Sequence, residues 1–141
     1  MEELEIPDIE INEWLAVLKP YQASSLNALI ESSSPESAAE IWITANGPDN
    51  TIMFGGERDT KPFWDKFKEE FKKFVCGDAE YSEERRALLV EAPISNALMV
   101  SAISSAIGAK IGYAAALLSP AVVILLYSIG KMGKNAYCND S

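Results

Sequence analysis

The sequence contains no histidine, only two cysteines, and almost no charge in its last third. Without histidine it lacks the most common general acid–base residue and the most common metal ligand. Cys76 and Cys138 stand 62 residues apart, which is not the spacing of a metal-binding cysteine pair. We therefore expect no metal site, no cofactor and no catalytic residues, and a protein that is not an enzyme.

Other catalytic arrangements have little support in the sequence. Ser104 or Ser105 could be paired with Lys110 as a Ser–Lys dyad, but small polar residues in an apolar helix usually serve helix packing. The segment Gly130–Lys134 lacks the full pattern of a phosphate-binding loop. The acidic pairs along the chain are typical of solvated helix faces.

Charge is concentrated in the first part of the chain. Of the 33 charged residues 29 precede Ala92, nine of them basic and twenty acidic. Such an acidic surface repels phosphate backbones, so we expect no nucleic-acid partner. The first five residues lack the basic and apolar regions of a signal peptide. A chain that begins in the cytoplasm would keep both cysteine thiols reduced.

The segment from Ala92 to Gly130 has the opposite character, because its 39 residues carry one formal charge, Lys110. Its second part, Ile111 to Gly130, is uncharged over 20 residues, which as a helix would span about 30 Å, the hydrocarbon thickness of a bilayer. Aromatic and basic residues flank this part, as they do at membrane interfaces. The expected membrane-edge residues are Tyr113, Tyr127, Lys131 and Lys134.

The first part of the apolar segment is weaker as a membrane span, because it contains a proline, an asparagine and several serines. Small residues recur in it every three or four positions, a spacing that lets helices approach closely in lipid. We therefore predict a second helix that packs against the first, against copies of itself, or both. The residues of this predicted packing face are Ala97, Ser101, Ser104, Ser105, Gly108 and Gly112.

The front of the chain is predicted to be mainly helical, with one ambiguous stretch. Ser33 and Glu36 match a capping box and favour a short helix over Pro35–Ile43. The competing interpretation is a short β-hairpin near residues 41–54, because two strand-like runs flank a turn-forming segment there.

Aromatic residues recur at helical spacing further along, with charged residues on the opposite side of the predicted helix. Such a stripe is usually part of a core; the alternative is a face that binds a partner or contacts lipid. Its residues are Phe63, Trp64, Phe67, Phe71 and Phe74.

Together these patterns predict a mainly α protein in three parts. Residues 1–91 form an acidic, mainly helical domain in the cytoplasm, residues 92–130 an apolar helical hairpin in the membrane, and residues 131–141 a polar tail. Only about 90 residues remain to cover the hairpin, which argues against its burial in water. The expected function is a small membrane-associated protein, in its most specific form an oligomerising, membrane-perturbing effector, with the lipid bilayer and copies of itself or another protein as partners.

Two alternatives remain open. The hairpin could be hidden until the protein meets a membrane, as in the architecture of pore-forming toxins. The protein could also be a soluble cytoplasmic α-helical interaction module or complex subunit, with its apolar tail buried against another chain or within its own core.

Overall fold

The structure, a computed structural model, describes residues 6–46, 61–91 and 93–139, and these are mainly helical. The mainly α class is therefore confirmed, and no strand occurs in the described ranges. A short 3-10 helix, Ala79–Tyr81, precedes the fifth α-helix. The α-helices are α1 Ile11–Leu15, α2 Pro20–Ser32, α3 Pro35–Asn46, α4 Lys61–Cys76, α5 Ser82–Leu89, α6 Asn96–Ile111, α7 Ala115–Met132 and α8 Lys134–Asn139.

The ambiguous stretch begins as a helix. α3 contains the first run that was considered as a strand, residues 41–44, whereas the second run, residues 51–54, lies outside the described residues. The cap is Ser34 instead of the expected Ser33, because the Ser34 hydroxyl accepts a hydrogen bond from the Ser37 amide at 3.2 Å. The preceding serine instead donates its hydroxyl hydrogen bond to the Leu29 carbonyl.

The aromatic stripe of α4 lies in the core. Trp64, Phe67, Phe71 and Phe74 are all buried, and the side chain of Phe63 lies outside the described part of the chain. The stripe therefore packs inside the protein, as the core interpretation expects, and its four buried residues do not form an exposed partner face. The opposite side of α4 is exposed and charged.

The two apolar helices follow each other directly and pack together. α6 begins at a Ser95 cap, whose hydroxyl accepts a hydrogen bond from the Leu98 amide at 3.1 Å, and ends at Gly112 with a left-handed φ of 76°. Gly108 has no room for a Cβ, because that atom would overlap the Tyr113 carbonyl oxygen. A glycine at this position therefore lets the chain turn closely from α6 into α7.

α7 is the central helix of the bundle and contacts α1, α2, α3, α6 and α8. Its middle turns, Ala121–Leu126, are buried on every side. The rest of the chain thus covers the middle of α7, contrary to the expectation that it was too small to do so. α6 is covered less completely and keeps one exposed face. The division of the chain at residue 91 stays a prediction, and helices from both sides of it pack on one another.

Candidate functional site

The exposed face of α6 carries no charge before Lys110. In a surface helix of a water-soluble protein this is the face that normally holds charged residues, as it does in α4, where Asp65, Lys66 and Glu69 are exposed. α6 is therefore uncharged on its exposed side as well as its buried side over Asn96–Ala109. The exposed residues of this face are Ala97, Leu98, Ser101, Ser105 and Ala109.

α7 is likewise uncharged before Lys131, although Ala116 is its one exposed residue over Ala115–Gly130. The positions of this helix that are not buried before Lys131 are alanine, leucine, serine, tyrosine and glycine. Among the residues that the structure describes, α7 is the one helix long and apolar enough to cross a membrane by length and composition, and half of it is buried within the protein. A core helix of a soluble protein can be as long and as apolar, so the uncharged exposed face of the neighbouring α6 is the more informative feature.

The structure divides the predicted small-residue packing face in two. Ser104 and Gly108 are buried towards α7, and the Ser119 hydroxyl lies 3.2 Å from the Ser104 hydroxyl. Ala97, Ser101 and Ser105 are instead exposed, and Gly112 lies in the turn that follows α6. One part of the face thus joins α6 to α7, and the other part is available to a neighbouring surface.

The predicted membrane-edge residues lie at the two ends of α7. Tyr113 precedes the helix and Tyr127 is in its last third, both half-buried, and Lys134 begins α8. The Lys131 ammonium lies 3.1 Å from the Asp8 carboxylate and 5.8 Å from the centre of the Tyr127 ring.

The N-terminal segment that the structure describes, residues 6–10, lies against the last turns of α7. Lys131 also lies 3.7 Å from the Glu10 carboxylate, and the Pro7 carbonyl rests against Gly130, where a Cβ would overlap it. Ile6 and Ile9 pack against the core beside this contact. An acidic segment that lies 120 residues earlier in the chain therefore covers the carboxyl end of α7, a pairing that no local sequence pattern indicates.

The other end of the apolar pair is held by a network of charges. The Lys110 ammonium lies 2.8 Å from the Glu80 carboxylate, which also binds Lys73 at 3.1 Å. Lys73 reaches Glu70 at 3.4 Å, and the buried Glu70 carboxylate accepts a hydrogen bond of 2.6 Å from the Tyr81 hydroxyl. Lys110, the one charge of the apolar segment, is thus paired with Glu80 of the acidic front of the protein.

The network keeps its carboxyl groups ionised. Burial raises the pKa of Glu70, but the hydrogen bonds from Tyr81 and Lys66 and the charge of Lys73 outweigh burial, and the pKa falls below its usual 4.5. Hydrogen bonds from Lys110 and then Lys73 lower the pKa of Glu80 in the same way.

These shifts predict how stability depends on pH. Because both carboxyl groups have lowered pKa values in the folded state, they stabilise the fold above their ordinary pKa and stop doing so as pH falls through the folded pKa. We expect the free energy of unfolding to be constant between about pH 8 and 6 and to decline below about pH 4.5. Urea unfolding at a series of pH values measures this, and Glu80→Gln should reduce the decline. A loss of stability between pH 8 and 6 would contradict the assignment.

Two polar side chains that the sequence analysis did not single out support α7 at its proline. Pro120 has no amide hydrogen to donate to the Ala116 carbonyl, and the buried Gln22 side chain donates to that carbonyl instead, at 3.1 Å. The Trp42 ring nitrogen donates to the next carbonyl, that of Leu117, at 2.9 Å. The sequence signal for the Gln22 hydrogen bond was the proline itself, because it leaves the Ala116 carbonyl without a helical amide partner.

The two cysteines form a disulfide, so the prediction of two reduced thiols is wrong. Cys76 ends α4 and Cys138 lies in α8, and their Cα atoms are 5.6 Å apart. The chain turns at Gly133, where φ is 96°, and α8 then packs on α4 with Tyr137 edge-on to Phe71. This return of the chain brings together two residues that are 62 positions apart in sequence.

Comparison with known proteins adds no function to this description. No protein-family model matches the chain, and searches of curated proteins and of solved structures find no match either. Within the described ranges no three potential metal ligands come together. The arrangement of α6, α7 and their covering contacts is therefore the basis for a functional proposal.

Proposed function

We propose that this protein is a non-enzymatic, membrane-active protein that folds in water with α7 covered and transfers α6 and α7 together into a lipid bilayer. The observation that carries the proposal is the absence of charge on every side of both helices, over Asn96–Ala109 and Ala115–Gly130. In water this composition leaves an uncharged face of α6 exposed, whereas in lipid the whole surface of the pair meets hydrocarbon.

The energetics favour insertion that depends on conditions. α7 has 18 residues and a length of about 27 Å. Its eight large aliphatic residues contribute about −2 to −5 kcal/mol to insertion. The charge of Lys110 opposes this by about 2.5–3.5 kcal/mol if it enters the bilayer. The two terms nearly cancel, so the contacts that hold the helices in the folded protein decide between the two states.

Those contacts differ in strength. The ion pairs of Lys110 and Lys131 are exposed to solvent, where such pairs contribute little to stability. The disulfide that ties α8 to α4 is worth several times more, about 2–4 kcal/mol. We therefore expect reduction of the disulfide, more than mild acidity, to promote insertion.

Self-association in the membrane follows from the outward part of the small-residue face. Ala97, Ser101 and Ser105 are four residues apart and exposed, which allows α6 of one copy to approach another closely in lipid. This supports an oligomeric, membrane-perturbing form.

A charge on the exposed face of α6 tests the proposal. We expect Ser101→Lys to fold normally, because the side chain is exposed, and to release dye from phosphatidylcholine vesicles about a hundredfold less than the unmodified protein, because a charge within the bilayer costs about 2.5–3.5 kcal/mol. Dye release is measured with and without a reductant. The matched control is Ser25→Lys, which adds the same charge at an exposed position of α2 and should leave release unchanged.

Two results count against insertion. One is the absence of dye release by the unmodified protein in both redox states. The other is an equal loss of release in both lysine variants, which would indicate an effect of net charge instead of a charge on α6. Far-UV circular dichroism and urea unfolding establish that the variants are folded.

The burial of α7 within its own chain favours a second candidate, a soluble α-helical interaction module. In that case the uncharged face of α6 would be covered by another protein. The protein would then leave vesicles intact, and Ser101→Lys would weaken the protein complex instead.

A further inference from the structure

A groove separates α5 from α6 on the exposed side of the bundle. Leu88 of α5 and Leu98, Ala102 and Ala106 of α6 line it, and it encloses about 400 Å³. Leu98 is exposed and the two alanines are half-buried, so apolar surface in the groove is open to solvent. The alanines are four residues apart on α6, and their small side chains leave space for a helix backbone to lie close to α6.

The two edges of the groove differ in charge. Glu84 of α5 and Glu91, in the turn that follows α5, line one edge and are exposed. On the α6 edge the lining residue is the uncharged Ser105. The groove thus presents an apolar floor beside a line of negative charge, a surface complementary to an amphipathic helix whose apolar face is bordered by cations.

We propose that this groove binds an amphipathic helix of a protein partner. Apolar side chains of that helix occupy the space between Leu88 and Leu98, and two lysine or arginine side chains beside its apolar face pair with Glu84 and Glu91. The net charge of −9 favours such a cationic partner over a second copy of this chain and over an anionic lipid surface.

Occupation of the groove has a consequence for the membrane activity. A helix that contacts α5 and α6 together binds the folded protein and not a form in which α6 has left α5. By mass action it stabilises the folded form and opposes the release of α6. This consequence rests on the proposed function, whereas binding in the groove does not.

The probe is a pair of labelled helical peptides of about 14 residues, the length of four turns. Both are alanine-based helices with leucines along one face. The lysine peptide has two lysines, seven residues apart, beside the leucine face, and the glutamate peptide has two glutamates at the same positions. Fluorescence anisotropy with the full-length protein should show binding of the lysine peptide alone. Glu84→Gln combined with Glu91→Gln should weaken it about tenfold, since two exposed ion pairs together contribute about that factor.

The matched control is Glu13→Gln combined with Glu83→Gln, which makes the same change of charge at exposed positions outside the groove. It should leave the affinity unchanged. Ser105→Arg, which adds volume and positive charge at the other edge, should also weaken the lysine peptide. Circular dichroism verifies that these surface variants are folded.

The proposal is overturned if the lysine peptide does not bind, if the glutamate peptide binds equally, or if both double variants weaken binding alike. Self-association in water, without lipid or detergent, that Ser105→Arg abolishes would assign the groove to a second copy and would overturn it too. Failure of peptide binding can be distinguished from failure of the membrane proposal, because Ser101 does not line the groove. Ser101→Lys should therefore stop dye release while the lysine peptide still binds.

Discussion

Reduction of the Cys76–Cys138 disulfide is expected to lower the free energy of unfolding by about 4 kcal/mol. The bond closes a segment of 62 residues, and the loss of chain entropy in the unfolded state scales with the logarithm of that length. The segment contains α5, α6 and α7, so the disulfide restrains the whole apolar pair. Urea unfolding in the presence and absence of a reductant measures the difference.

The control for this prediction is the double variant Cys76→Ser and Cys138→Ser, which should resemble the reduced protein and should not respond to reductant. Thiol titration of the denatured, unreduced protein should detect no free thiol. Two free thiols per chain, or an unfolding curve that reductant does not change, would show that the pairing does not form.

Leu126→Ala is expected to destabilise the folded protein by about 2–5 kcal/mol. Leu126 is 0% exposed at the middle of α7, and truncation of a fully buried leucine removes its apolar contacts and leaves a cavity. Met132, in the last turn of the same helix, is 54% exposed, and Met132→Ala should change stability by less than about 0.5 kcal/mol. Thermal or urea unfolding in water without detergent gives both values. Similar small values for both variants would mean that α7 is not a core helix in water.

The sequence predicted the features that local periodicity encodes. The aromatic stripe of α4 repeats every three or four residues, and the structure buries its described members on one face. The helix at Pro35 was predicted from a capping box, with an error of one position because the cap is Ser34. The absence of charge in α6 and α7 is a matter of composition and is visible in the sequence itself.

What the sequence did not predict depends on contacts between distant segments. The disulfide requires α8 to turn back onto α4, and the Lys131–Asp8 ion pair requires the N-terminal segment to cross the end of α7. We expected the rest of the chain to be too small to cover α7. Several helices cover it from different sides, so few residues are enough to bury its middle. The predicted small-residue face was one stripe in sequence, but helix packing turned Ser104 inward and left Ser101 exposed.

The disulfide also affects the expectation that the front of the protein lies in the cytoplasm. Disulfides persist in oxidising compartments, so a Cys76–Cys138 bond does not fit the reduced thiols that a cytoplasmic location implied. If the protein folds oxidised and then meets a reducing environment, loss of the bond removes about 4 kcal/mol from the folded form. Under the proposed function, this loss would shift the balance towards the membrane-bound form.

The most direct test of the account is photolabelling from within the bilayer. Vesicles contain a phosphatidylcholine with a photoreactive group on its acyl chain, and the full-length protein is irradiated with them in the presence of reductant. Labelled positions are then mapped by mass spectrometry. The account predicts labels within residues 96–132, on both α6 and α7, with α4 unlabelled as the internal control. Labels confined to α4, or no label on α7 above that of a sample kept in the dark, would contradict it.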